Sequence, residues 1–233
     1  MHLFASCYKG KILIVSQISN CMSATIKTYS HIEESLNIWS HFSGAIMGVV
    51  GLVLLIAKGI VLNSPIHVVS YSIYGVSMVV LFLASTLYHS TKEPKKKAQL
   101  NIFDHVAIYF LIAGSYTPFT LIGMKGAWGW SIFGVAWGIG IAGMILKLFF
   151  TGRFKLLSTI SYVAMGWVVV IAIKPLMKSL STDALFWLAT GGVFYTVGAV
   201  LYLIKKIPYN HAIFHFFVLA GAISHYISVY FFL

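Results

Sequence analysis

Charge is scarce in this chain. Only 9% of its 233 residues are Asp, Glu, Lys or Arg, against about 25% in a soluble domain. Apolar residues make up 59% and the mean hydropathy is +0.90. A chain of this size must leave much of its surface in contact with its solvent. A soluble globular enzyme, a disordered chain and a coiled coil are therefore excluded. Cysteine is scarce too. Cys7 and Cys21 stand 14 residues apart, which makes neither a CxxC pair nor a disulfide framework. The polar–apolar alternation of barrel strands is missing, as is any internal repeat, and the short connections leave no room for a second domain. What remains is an all-α membrane protein.

Apolar runs of about 20 residues, enough to cross some 30 Å of hydrocarbon as helices, occur at 41–62, 66–89, 104–123, 126–149, 156–174, 184–204 and 210–233. The architecture expected is a seven-transmembrane-helix bundle over 40–233, preceded by a cytoplasmic N-terminal segment, 1–39. Lysine and arginine orient it. Twelve basic residues (Lys9, Lys11, Lys27, Lys92, Lys95, Lys96, Lys97, Lys147, Arg153, Lys155, Lys205 and Lys206) fall on one side, and four (Lys58, Lys125, Lys174 and Lys178) on the other. The richer side is cytoplasmic by the positive-inside rule. The N-terminus is then inside and the C-terminus outside. The net charge of +11 faces an anionic leaflet, so no nucleic-acid partner is expected. Lys58 and Lys147, within span ends, can snorkel. The apolar stretch Ile12–Val15 is cut short by Ser16 and Gln17 and makes no signal peptide. Met22 is an alternative start that would make 1–21 dispensable.

Ionisable groups in a bilayer mark function by default. Asp183, after Ser181 and Thr182, reads as a helix cap, and Glu93 as a solvated loop residue. Asp104 opens the third span at the cytoplasmic end, where a carboxylate also suits a helix N-terminus. His89 closes the second span at that end, and His211 and His215 open the seventh. Two histidines four apart share a helix face and can hold one metal, with His89 as third ligand. Three histidines and an open position make a catalytic zinc arrangement. Asp104 could accept a proton from bound water, and Ser85 lies one turn from His89 on the same face. His225, about 15 Å beyond His215 by helix rise, reads equally well as a cavity residue or as a hydrogen bond to a neighbouring helix. His105 points elsewhere and is assigned nothing. Glu34, Asn37 and His41 repeat at helical spacing before the first span. On spacing alone they read as a short interfacial helix anchored by Trp39; the alternative makes Glu34 and Asn37 supports for the metal ligands. Gly44 with Gly48 and Gly134 with Gly138 suit close helix packing, within the bundle or in a homo-oligomer. The stretch Gly114–Pro118 should kink or end its helical ladder.

Glu34-x-x-Asn37, Ser85-x-x-x-His89, Asp104 and His211-x-x-x-His215, in this order and at these span ends, resemble the family of progestin and adipoQ receptors and bacterial hemolysin III-like proteins over about residues 31 to 233. The resemblance implies a seven-helix bundle with a cytoplasmic N-terminus, and zinc on His89, His211 and His215. It implies help from Asp104 through water, with Ser85 beside the site. It also implies hydrolysis of lipid amides, since some relatives look like ceramidases, and a lytic activity for some bacterial members. The compact chain looks more like the bacterial branch, in a bacterial cytoplasmic membrane. Three functions follow. The first is an intramembrane zinc-dependent hydrolase of a lipid amide, with a membrane lipid as substrate. The second is a zinc-stabilised receptor or sensor without turnover. The third is a hemolysin-type lytic or pore-forming protein, for which mid-span charges that would step an ion across are wanting.

Overall fold

The structure, a computed structural model, describes residues 29–233. The readings made on Lys9, Lys11, Ile12–Val15, Lys27, the two cysteines and Met22 lie outside them. The elements are α1 (His31–Val61), α2 (Pro65–Ser90), α3 (Pro94–Pro118), α4 (Gly126–Phe150), α5 (Lys155–Gly166), α6 (Ile173–Ser179), α7 (Thr182–Leu203) and α8 (Asn210–Phe232). A π-helical turn, Phe119–Met124, extends α3, and a 3-10 turn, Val168–Ala172, joins α5 to α6. Among the described residues, seven spans are long and apolar enough to cross a membrane. Side chains such as Val61, Phe149 and Ile171 are more than two-thirds exposed, an outer surface suited to lipid rather than water.

Local chemistry explains the boundaries. Ser30 caps α1 by accepting from the Glu33 amide at 3.2 Å. Pro65 and Pro94 open α2 and α3, where a missing N–H costs nothing. Ser181, rather than Asp183, caps α7, accepting from the Ala184 amide at 3.2 Å. Asp183 lies in the first turn, where its charge favours the helix dipole.

Other expectations change at particular residues. The segment before the first span is continuous with it, because α1 begins at His31 without a break. Asp104 does not open a helix. It lies ten residues after Pro94, about 15 Å along α3. The π-helical turn follows Pro118 directly, so the regular ladder ends where that proline removes a donor. The fifth span is broken at Trp167. There the Tyr116 hydroxyl lies 2.8 Å from the Gly166 carbonyl and accepts from the Val169 amide at 3.0 Å. It thereby satisfies backbone groups that hydrocarbon would leave orphaned.

The third span is the most enclosed of the seven, with 61% of its most apolar window buried. The core joins α1, α2, α3 and α8 around Leu55, Tyr71, Tyr74, Phe82 and Val229. Gly44 and Gly48 do bring α1 against α2. Added Cβ atoms would stand 2.7 Å from Phe82 and 3.3 Å from Val79. Gly134 and Gly138 differ, since Cβ atoms there would meet nothing within 4 Å. Gly129 is the tightest backbone approach, with an added Cβ 2.3 Å from the Thr120 carbonyl oxygen. Gly129→Ala is expected to destabilise the bundle by about 1–3 kcal/mol. Thermal unfolding in detergent reads the loss, and an unchanged midpoint would contradict this packing.

Candidate metal centre

The start of α1, the end of α2, the first half of α3 and the start of α8 meet at one end of the bundle. Chain alternation gives this end Lys95, Lys97, Lys155 and Lys205, so it is the end that the lysine count expects to be cytoplasmic. His89, His211 and His215 converge here. Each offers one ring nitrogen, and these atoms lie within 4.8 Å of one another. His211 Nε2 stands 3.2 Å from His89 Nε2 and 3.1 Å from His215 Nε2. Nitrogens bound to one tetrahedral zinc at 2.0–2.1 Å would be about 3.3 Å apart. The three histidines are therefore close enough to hold one metal ion. All are buried.

The other ring nitrogens of His89 and His215 fix the tautomers of these two. His89 Nδ1 donates to Glu34 Oε2 at 2.8 Å. The Asn37 side-chain amide approaches the same nitrogen at 3.4 Å, and the nearer, charged acceptor wins. Lys97 bonds Glu34 Oε1 and holds the carboxylate in place. His215 Nδ1 donates to the Asn37 carbonyl at 3.3 Å, with Ser40 Oγ 3.4 Å away. With both protons on Nδ1, His89 and His215 turn lone pairs toward His211 Nε2. A cation shared by the three nitrogens satisfies these lone pairs, as a proton on His211 Nε2 would. A metal fits this donor set on that ground. Tyr29 stacks on His211, with ring centroids 4.9 Å apart.

Ser85, Asp104, His211 and His215 line a cavity of about 180 Å³ that runs down the bundle as far as His225. Ser85 Oγ is buried and without a hydrogen-bond partner among the described residues. Asp104, 8% exposed, is not part of the three-nitrogen cluster. It lines the same cavity, with Oδ2 4.0 Å from His105 Nδ1. His225 does both things considered for it, lining the cavity and placing Nε2 3.1 Å from the Leu188 carbonyl. His105, expected to point elsewhere, lines the cavity too, with Nδ1 2.8 Å from the Asn101 carbonyl.

The largest departure is in α1. Glu34 and Asn37 contact His89 and His215 from behind, in place of the interfacial helix that spacing alone favoured. His41 stacks on His215 at 3.6 Å and 8°, and both its ring nitrogens lack hydrogen-bond partners among the described residues. Glu33 Oε1 accepts from the His211 amide at 3.4 Å. The signal for His41 was its four-residue step from Asn37. Glu33 carried no spacing signal of its own. Because Glu34 orients His89, Glu34→Gln is expected to weaken metal binding about 10–100-fold. Competition with a chelator of known affinity measures this, and unaltered affinity would show the contact to be incidental.

Comparison with known proteins gives the family. A family model described as haemolysin-III related matches residues 29–226. Hemolysin-3 of Bacillus cereus is 44% identical over 200 residues, covering 86% of this chain and 91% of that protein. The Hemolysin-3 homolog of Bacillus subtilis (strain 168) is also 44% identical, with 86% and 94% covered. The human monocyte to macrophage differentiation factor is 29% identical over 164 residues, 68% of each chain. The match spans α1 through most of α8, including every histidine of the cluster, and the chain belongs to the haemolysin-III related family.

Proposed function

We propose that this protein is an intramembrane zinc-dependent hydrolase of a lipid amide, working at the cytoplasmic side of a bacterial cell membrane. The observation that carries the reading is the cluster of three Nε2 atoms opening on a mainly apolar cavity whose wall also holds a carboxylate and an unpartnered hydroxyl. An all-imidazole donor set suits zinc among the common metals. Zinc held by His89, His211 and His215 would supply a bound water acidic near neutral pH and a Lewis acid for a carbonyl. Asp104 takes the proton of the attacking water. Ser85 donates a hydrogen bond to the carbonyl oxygen as negative charge grows on it. The carbon–nitrogen bond then breaks, Asp104 returns its proton to the leaving amine, and a fatty acid and an amine are released. Glu34 and Asn37 hold the histidine rings. The apolar wall toward His225 takes the acyl chain and excludes water.

The test is release of fatty acid from a ceramide with a labelled acyl chain, by purified protein in detergent. Release should stop with a chelator and return with added zinc. Zinc-loaded protein that releases nothing from ceramide or from simpler N-acyl amines would overturn the reading. A zinc-stabilised sensor is the second reading. It is favoured by the ligands coming from two helices, α2 and α8, with Glu34 reaching in from a third.

A further inference from the structure

Lys147 was expected to snorkel toward water. It is instead buried, 6% exposed, and lines the cavity. Its Nζ bonds Ser158 Oγ, a neutral group, and lies 5.8 Å from the centre of the Tyr162 ring. The whole chain has five acidic residues, Glu33, Glu34, Glu93, Asp104 and Asp183. No ion pair joins any of them to Lys147 among the described residues, and residues 1–28 contain no acid that could. A buried ammonium without an anion is costly, and inside a membrane protein such a group points to a ligand. Lys155, which is exposed, and His105 line the cavity too, and both lysines lie near enough to His105 to act on it electrostatically. Asp104 is the one carboxylate on the wall; its Oδ2 lies 4.0 Å from His105 Nδ1, and it makes no ion pair with Lys147. From the cationic mouth the wall continues past Ile108, Ile112 and Phe119, which are apolar.

We infer that Lys147, with Lys155 beside it, is the recognition site for an anionic headgroup on a long-chain lipid whose chain lies in the cavity. The inference rests on the reading of this cavity as the substrate chamber, and it makes a lipid amide bearing phosphate or another anion a tighter-binding substrate than a neutral one. The phosphate oxygens would accept from Nζ, which Ser158 Oγ holds at the cavity wall.

Two probes with one chain test it: oleoyl lysophosphatidic acid and monooleoylglycerol, which differ by the phosphate. Their binding to the protein purified with its metal is measured by native mass spectrometry, and comparison with Lys147 variants, which keep the three histidines, cancels whatever the metal contributes. The protein should prefer the phosphorylated lipid by at least about tenfold. Lys147→Met should remove most of that preference while binding monooleoylglycerol as before, which also shows that the variant is folded. Lys147→Arg should keep it. Equal binding of both lipids, or a Lys147→Met variant with its preference intact, overturns the inference. So does inorganic phosphate that displaces the lipid at comparable concentration, since the source would then be a soluble anion. Preference without amide hydrolysis retires the hydrolase reading and leaves the headgroup site standing. Hydrolysis without preference does the reverse.

Discussion

Asp104→Asn is expected to lower hydrolysis of a lipid amide by about 10²–10⁴-fold while leaving the metal bound. The two halves of this result come from separate observations. Asp104 stands outside the cluster of three imidazole nitrogens, so the donor set survives the change. It lines the cavity onto which that cluster opens, where a carboxylate can take a proton and an amide of equal size cannot. Turnover and metal content measured on one preparation separate the alternatives. Full turnover would remove Asp104 from the proton transfer. Loss of metal together with turnover would make it a ligand, contrary to its position.

Removal of the metal is expected to cost the bundle about 4 kcal/mol, if the free metal in the starting buffer stands near a thousandfold above its dissociation constant. Without a cation, the lone pairs of His89 and His215 are left facing His211 Nε2 across 3.2 and 3.1 Å. The ends of α2 and α8 then lose their common tie, and α1, held to them through Glu34, loses part of its footing. His89→Ala should unfold at the midpoint of chelated protein and be indifferent to further chelator. The unaltered chain should respond strongly. Equal responses of the two would mean that the histidines do not carry the stabilisation.

How much was legible depended on the kind of signal. Span number and chemical type followed from the length of apolar runs, which the bilayer thickness reads directly. The approach of His89 to His211 and His215 followed from their places at span ends, since the parity of crossings decides which ends coincide. Depth was harder to read. Hydropathy marks where a helix enters hydrocarbon, not where it begins, so Asp104 looked like a helix start although α3 begins at Pro94. For the same reason α1 looked divided at residue 39. Partners across space were harder still. Nothing local announces that Lys147 turns inward, or that the plane of His41 lies on that of His215. The break at Trp167 needs Tyr116 from another helix to satisfy it, so an apolar run alone reads as continuous helix. Gly134 and Gly138 show the reverse case, a spacing shared with Gly44 and Gly48 but no neighbour to fill it.

The central claim is a metal held by three histidines. Zinc per chain in detergent-purified protein, counted by elemental mass spectrometry on wild type and on the His211→Ala, His215→Ala double variant, tests it most directly. About one zinc per wild-type chain and none in the variant is the predicted result. A wild-type protein without zinc or another transition metal, prepared with metal present and without chelator, would contradict it.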